Sequence, residues 1–107
     1  VTLIAAEPFA ALMGRLGVDG ASTVLVYDDV WGMHGARVVW ALRRYGHGAA
    51  ALLSGGAEGW AAAGLPLTRG TTLAFPRRFV PMSDERQRAE TSWVQARTGD
   101  RSLLLLD

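Results

Sequence analysis

The chain contains no cysteine. Disulfides, thiolate nucleophiles and cysteine-ligated zinc are therefore excluded together, while the redox state of its compartment is left open. Lysine is absent too, since all 11 basic side chains other than histidine are arginine. That removes Schiff-base chemistry, lysine-dependent P-loop phosphate binding and receiver-type phosphorylation sites that need a lysine. No apolar run approaches the roughly 20 residues that a helical membrane crossing requires, and no basic N-terminal region precedes one as in an export signal. A formal charge of +1 gives no general attraction to nucleic acid or to an anionic membrane. The expectation is a soluble, cytoplasmic protein with no nucleic-acid or membrane partner.

What is present is a patterned stretch in the middle of the chain. At 107 residues, half of them hydrophobic, there is material for one compact core but not for two complete domains of ordinary size. Phe9, Leu12, Met13 and Leu16 recur at helical spacing after Glu7 and Pro8, and Gly17 supplies a stop. Residues 23–27, TVLVY, form a short β-branched run that reads as a buried strand. A weaker strand signal covers residues 49–53. Between them, residues 35–45 are apolar on nearly every face apart from Arg37, Arg43 and Arg44, as befits a helix crossing over between two parallel strands. Gly55 and Gly56 then break the chain, and residues 57–63 predict an alanine-rich helix closed by Gly64 and Pro66.

The pattern changes after Leu67. Residues 68–88 carry Pro76, Pro81 and several arginines without a sustained period, which predicts an extended linker lying on a surface. Residues 90–97 predict a short helix with Thr91 or Ser92 as N-cap. Residues 102–106, SLLLL, are a continuous apolar run suited to a strand in the middle of a sheet.

Three blocks in this order and spacing resemble the rhodanese family of sulfurtransferases: VLVYDD at 24–29, GMHGARVVWALRRYGH at 32–47 and LLSGGAEGWAAAGLPL at 52–67. The resemblance implies an α/β fold with a parallel sheet flanked by helices, incomplete in this chain. In catalytic rhodanese domains a cysteine follows the aromatic residue at the strand end, and the loop beyond it wraps the sulfur in backbone N–H groups. Here that position, after Tyr27, is Asp28, and a carboxylate cannot take up a transferable sulfur from a donor such as thiosulfate. The pattern is similar to the noncatalytic first domain of tandem thiosulfate or mercaptopyruvate sulfurtransferases. On that basis residues 1–67 are a partial first domain, 68–88 the interdomain linker and 89–107 the truncated start of a second domain. The family's opening strand, with its histidine, hydrophobic, proline, glycine, alanine segment, is not found before Val1. The expectation is thus a central piece of a longer protein.

Individual residues are weighed on the same footing. Asp28 and Asp29 lie at a strand end where α/β proteins place ligands; turn formation and helix capping are the plainer alternative to an acid/base or magnesium role. Met33 and His34 fall in the loop that the resemblance turns toward the cleft between domains, against ordinary loop packing. Arg37 matches an arginine that the family keeps, and a structural bond is favoured over substrate binding. Trp40 and Trp60 predict core packing, whereas Trp31 belongs to the loop. Gly55 and Gly56 lack the G-x-G-x-x-G spacing of a dinucleotide cradle, so close packing of helix on strand accounts for them. His34 and His47 do not make a zinc site. No metal and no cofactor is expected.

Two functional readings follow. The first is the noncatalytic, cleft-forming part of a thiosulfate sulfurtransferase that passes sulfane sulfur from thiosulfate or a related donor to cyanide or another thiophile, with the second rhodanese domain of the same parent chain as partner. The alternative is a catalytically silent rhodanese-like module for protein interaction or regulation.

Overall fold

The computed structural model describes residues 3–106. Its elements are α1 (Ala6–Arg15), β1 (Val24–Val26), α2 (Met33–Arg44), β2 (Ala50–Leu52), α3 (Gly56–Ala62), a 3₁₀ turn (Glu85–Gln87) and α4 (Thr91–Gln95). β1 and β2 run parallel and pair directly, Val24 opposite Ala50 and Val26 opposite Leu52, with α2 as the crossover between them. The chain is an α/β protein with an open parallel sheet flanked by helices.

Three helices end in the same way. Gly17, Gly46 and Gly64 each adopt positive φ just past a helix, and each is bracketed by the two return bonds of a Schellman motif. After α1 these run from Gly17 N–H to the Gly14 carbonyl and from Val18 N–H to the Met13 carbonyl, both 3.0 Å. A side chain at these positions would be forced into a conformation that L residues rarely adopt.

The core gathers Phe9 and Met13 from α1, Val39, Ala41 and Leu42 from α2, Tyr45, Ala50 and Phe79. Phe9 is its centre: its ring lies 5.0 Å from that of Tyr45 and meets Phe79 edge-on at 5.7 Å. Val24 and Val26 pack onto this cluster from the sheet. Leu25, on the other face, is 57% exposed, which corrects the expectation of a strand buried on both sides. α3 and the segment after it reach that face, leaving a groove of about 300 Å³ between Leu25, Tyr27, Trp60 and Leu67.

Residues 68–84 form neither helix nor strand before the 3₁₀ turn, but the middle of the segment 68–88 is not a surface tether. Phe79 is buried, and the backbone around it is bonded to the helices. Arg77 N–H donates to the Gly14 carbonyl (2.9 Å), Met82 N–H to that of Tyr45 (2.9 Å) and Asp84 N–H to that of Arg44 (2.7 Å). The last two satisfy carbonyls that the end of α2 leaves without helical partners. Gly14 makes the approach possible, because a Cβ there would stand 2.6 Å from the Arg77 carbonyl oxygen. We call this segment the strap.

Beyond Arg88 no described residue is buried, and the radius of gyration is 16.8 Å where a compact domain of this length has about 13 Å. Two expectations fail here. Residues 102–106 form no strand, and Leu104, Leu105 and Leu106 are exposed: an apolar run becomes a central strand only when neighbours offer backbone partners on both sides. α4 begins at Thr91 with Glu90 as N-cap and no side-chain capping bond, so neither Thr91 nor Ser92 caps it.

The strap's role in the core sets a test. Phe79→Ala should lower unfolding stability by about 3–5 kcal/mol and Gly14→Ala by about 1–3 kcal/mol in urea titrations. A loss below about 1 kcal/mol for both would mean that the strap is not part of the folded unit.

Candidate functional site

The site is built where β1 gives way to α2. To reverse direction within a few residues the chain takes Trp31 to φ 60° and Gly32 to φ 86°, and a non-glycine residue in that region carries a conformational cost. Something must hold the turn. The Asp28 carboxylate does so, accepting the N–H groups of Val30 (3.1 Å) and Gly32 (2.7 Å) on Oδ1 and that of Gly35 (2.8 Å) on Oδ2. Gly32, the N-cap of α2, has no side chain with which to cap the helix. Asp28 reaches forward from the strand end and fills that role, placing a negative charge at the positive end of the helix.

These bonds also set its ionisation. The N–H of Gly35 first, then those of Gly32, Val30 and His34, hold the Asp28 carboxyl below the ordinary aspartate range, against the opposing effect of desolvation. The main chain of Asp28 is used as well: its carbonyl accepts Ala57 N–H at 3.1 Å, which ties the start of α3 to the same residue. Gly56 allows this approach, and Gly35 leaves room for the Leu52 side chain beside the loop. A Cβ at Gly35 would meet Leu52 Cδ1 at 2.4 Å, and one at Gly56 would stand 2.5 Å from the Asp28 carbonyl oxygen. Close packing therefore accounts for Gly56, while Gly55 turns the chain at φ 81°. Val30, Gly32 and Gly35, the donors to Asp28, are the members of this cluster that sequence reasoning missed.

Around this clamp lies an exposed apolar rim. Trp31 is 99% and Met33 66% exposed. Met33 and His34 are the first two residues of α2, not loop residues as expected, because the Asp28 bonds begin the helix immediately after Gly32. The His34 side chain is exposed while its N–H faces Asp28. Arg37 lies apart from the clamp, lining with His34 and Trp40 a cavity of about 360 Å³ between α1 and α2. Trp40 and Trp60 are half-buried and not central to the core; their indole N–H groups donate to the carbonyls of Gln87 and Pro66, both at 2.9 Å. Trp60 thereby anchors the segment after α3. Asp29 is exposed and stands outside the Asp28 cluster, so the acidic pair does not converge. Among the described residues no group of three His, Cys, Asp or Glu side chains is placed to hold a metal ion, and no helix is long and apolar enough to cross a membrane.

Chemically, the clamp presents an ionised carboxylate already engaged by several donors. It is a poor general acid at neutral pH.

No protein-family model matches the chain, but individual relatives do. Human 3-mercaptopyruvate sulfurtransferase is 43% identical over 81 residues, which cover 74% of this chain and 27% of that protein. The sulfur carrier protein TtuD of Thermus thermophilus is 38% identical over 87 residues, 80% of this chain and 30% of that one. Bovine thiosulfate sulfurtransferase is 36% identical over 73 residues, 66% and 25% of the respective chains. The chain belongs to the rhodanese family of sulfurtransferases. It spans less than a third of the length of these curated relatives. In this rhodanese chain, then, the loop at the end of β1 is closed on a carboxylate from its own backbone.

The clamp predicts a pH dependence. Because folding lowers the Asp28 pKa, its contribution to stability is fully present above the pKa of an unfolded aspartate and is lost as pH falls through the lower folded value. Asp28→Asn should therefore flatten the acid side of the stability curve. At neutral pH the Gly32 and Gly35 amides of the variant should exchange with solvent roughly tenfold faster, as charge-assisted acceptors are lost. Unchanged exchange at both amides would remove Asp28 from its place in the loop.

Proposed function

We propose that this chain is the noncatalytic, cleft-forming part of a tandem rhodanese-type sulfurtransferase. Residues 1–67 with the strap form the noncatalytic first domain, and the residues from 89 on begin a second domain. In the parent protein the reaction is ping-pong transfer of sulfane sulfur. A cysteine thiolate attacks the outer sulfur of thiosulfate or a related donor, sulfite or its equivalent leaves, and a persulfide forms. Cyanide or another thiophile then takes that sulfur and regenerates the thiolate.

The observation that carries this reading is the Asp28 clamp. The resemblance puts a cysteine at this position in catalytic domains, with backbone N–H groups gathered around its sulfur. Here the gathered N–H groups of Val30, Gly32 and Gly35 are taken by the Asp28 carboxylate. A carboxylate in that place keeps the loop's shape and removes its nucleophile. What the domain contributes is a wall: Met33 and His34, on the first turn of α2, together with Trp31, are the residues proposed to border the cleft of the partner domain. Their exposure supports that role. A free-standing interaction module would use the same rim, and it is separated from the tandem reading by whether a cysteine-bearing rhodanese domain is encoded next to this one.

Two measurements test the proposal. The purified chain should give no thiosulfate:cyanide turnover above background, and reproducible turnover would refute it. In Asp28→Cys the introduced thiol should titrate below about 8.5, the value of a free cysteine, when followed by thiolate absorbance; a normal or raised value would show that the loop is not a sulfur-type cradle.

A further inference from the structure

Among the described residues, the outgoing chain from Met82 on is bonded to the α/β unit at one corner, the C-terminal end of α2. Asp84 N–H donates to the Arg44 carbonyl (2.7 Å), Arg44 Nη2 to Glu85 Oε1 (3.0 Å) and the Trp40 indole N–H to the Gln87 carbonyl (2.9 Å). After Gln87 the hydrogen bonds of the described residues are local to residues 85–103. Whatever follows is therefore placed by this corner.

Its centre is unusual for a surface ion pair. The Arg44 side chain is 8% exposed while that of Glu85 is 79% exposed. An exposed pair contributes little, because water and salt screen it and both side chains lose freedom. Here the arginine is already buried, 5.7 Å from the Tyr45 ring centre, and its Nε and Nη1 atoms have no acceptor among the described residues. Glu85 is the carboxylate that balances this guanidinium, and removing it would strand a buried charge. The strap thus supplies the acceptor for Arg44 Nη2. The same helix carries Met33 and His34 at its other end, about 18 Å away for twelve residues at 1.5 Å each.

We propose that Arg44, acting through Glu85, is a positioning residue: the pair locks the outgoing chain onto α2 and so holds everything after Gln87 at a fixed place relative to the Asp28 loop and its rim. The bearing of this lock on sulfur transfer rests on the reading that a second domain follows; the lock itself does not.

The absence of cysteine makes a direct test available. Spin labels on cysteines introduced at the exposed positions Ala11 in α1 and Ser92 in α4 report the distance between the unit and the outgoing chain by pulsed electron spin resonance. The distribution should be narrow in the parent background. In Glu85→Ala and Glu85→Lys its width should roughly double, while amide protection in β1 and β2 stays the same. A broad distribution in the parent background, or an unchanged one in both Glu85 variants, overturns the proposal. Loss of β-strand protection in the variants also overturns it, by making the pair a general stabiliser of the fold. None of these outcomes depends on sulfur-transfer activity, so the lock and the functional reading can fail separately.

Discussion

Asp28 stands where a strand must become a helix, and it satisfies the demands of three elements from one residue. Its carboxylate collects the amides of the turn and of the first turn of α2, and its carbonyl collects the first free amide of α3. Without an acceptor there, a turn with Trp31 at positive φ would carry both backbone strain and unsatisfied donors at a helix start. Gly56 follows from the same constraint, because it lets the Asp28 backbone come closer than a Cβ permits, while Gly35 leaves room for the Leu52 side chain beside the loop. A negative charge is the economical solution: it meets several N–H groups at once and the helix dipole favours it.

The opposite end of the unit is organised by the strap. α1, the end of α2 and β2 would leave Phe9 and Tyr45 incompletely covered, and Phe79 fills that place. The chain that leaves the unit is thus also part of its core. This couples the integrity of the fold to the direction in which the chain departs, with α2 joining the Asp28 loop at one end to the Arg44 corner at the other.

Much of this was legible from residue patterns because it depends on local rules. The β-branched run before Tyr27, the apolar crossover helix and the glycines past α1 and α3 specify their elements through periodicity and φ preference, and all appear with boundaries within a few residues. Met33 and His34 were misplaced into the loop because a helix start set by a side chain five residues upstream leaves no local capping signature. What failed was non-local. The run at 102–106 has the composition of a buried strand, yet composition cannot supply neighbours. Phe79 sits in a segment dominated by prolines and arginines, so its burial depends on notches at Gly14 and on contacts with Phe9 some seventy residues earlier. Of the site, the identity of Asp28 as the residue that matters came from the resemblance, and capping was its plainer physical reading; the particular partners Val30, Gly32 and Gly35 required coordinates.

The central claim is that the Asp28 carboxylate, ionised and enclosed by backbone amides, occupies the loop at the end of β1. Carbon-detected nuclear magnetic resonance of the Asp28 carboxyl through an acid titration tests it most directly. The account predicts a midpoint below the roughly 3.9 of an unperturbed aspartate, with the amide shifts of Gly32 and Gly35 moving in step with it. A midpoint at or above that value, with those amides indifferent to it, would contradict the account.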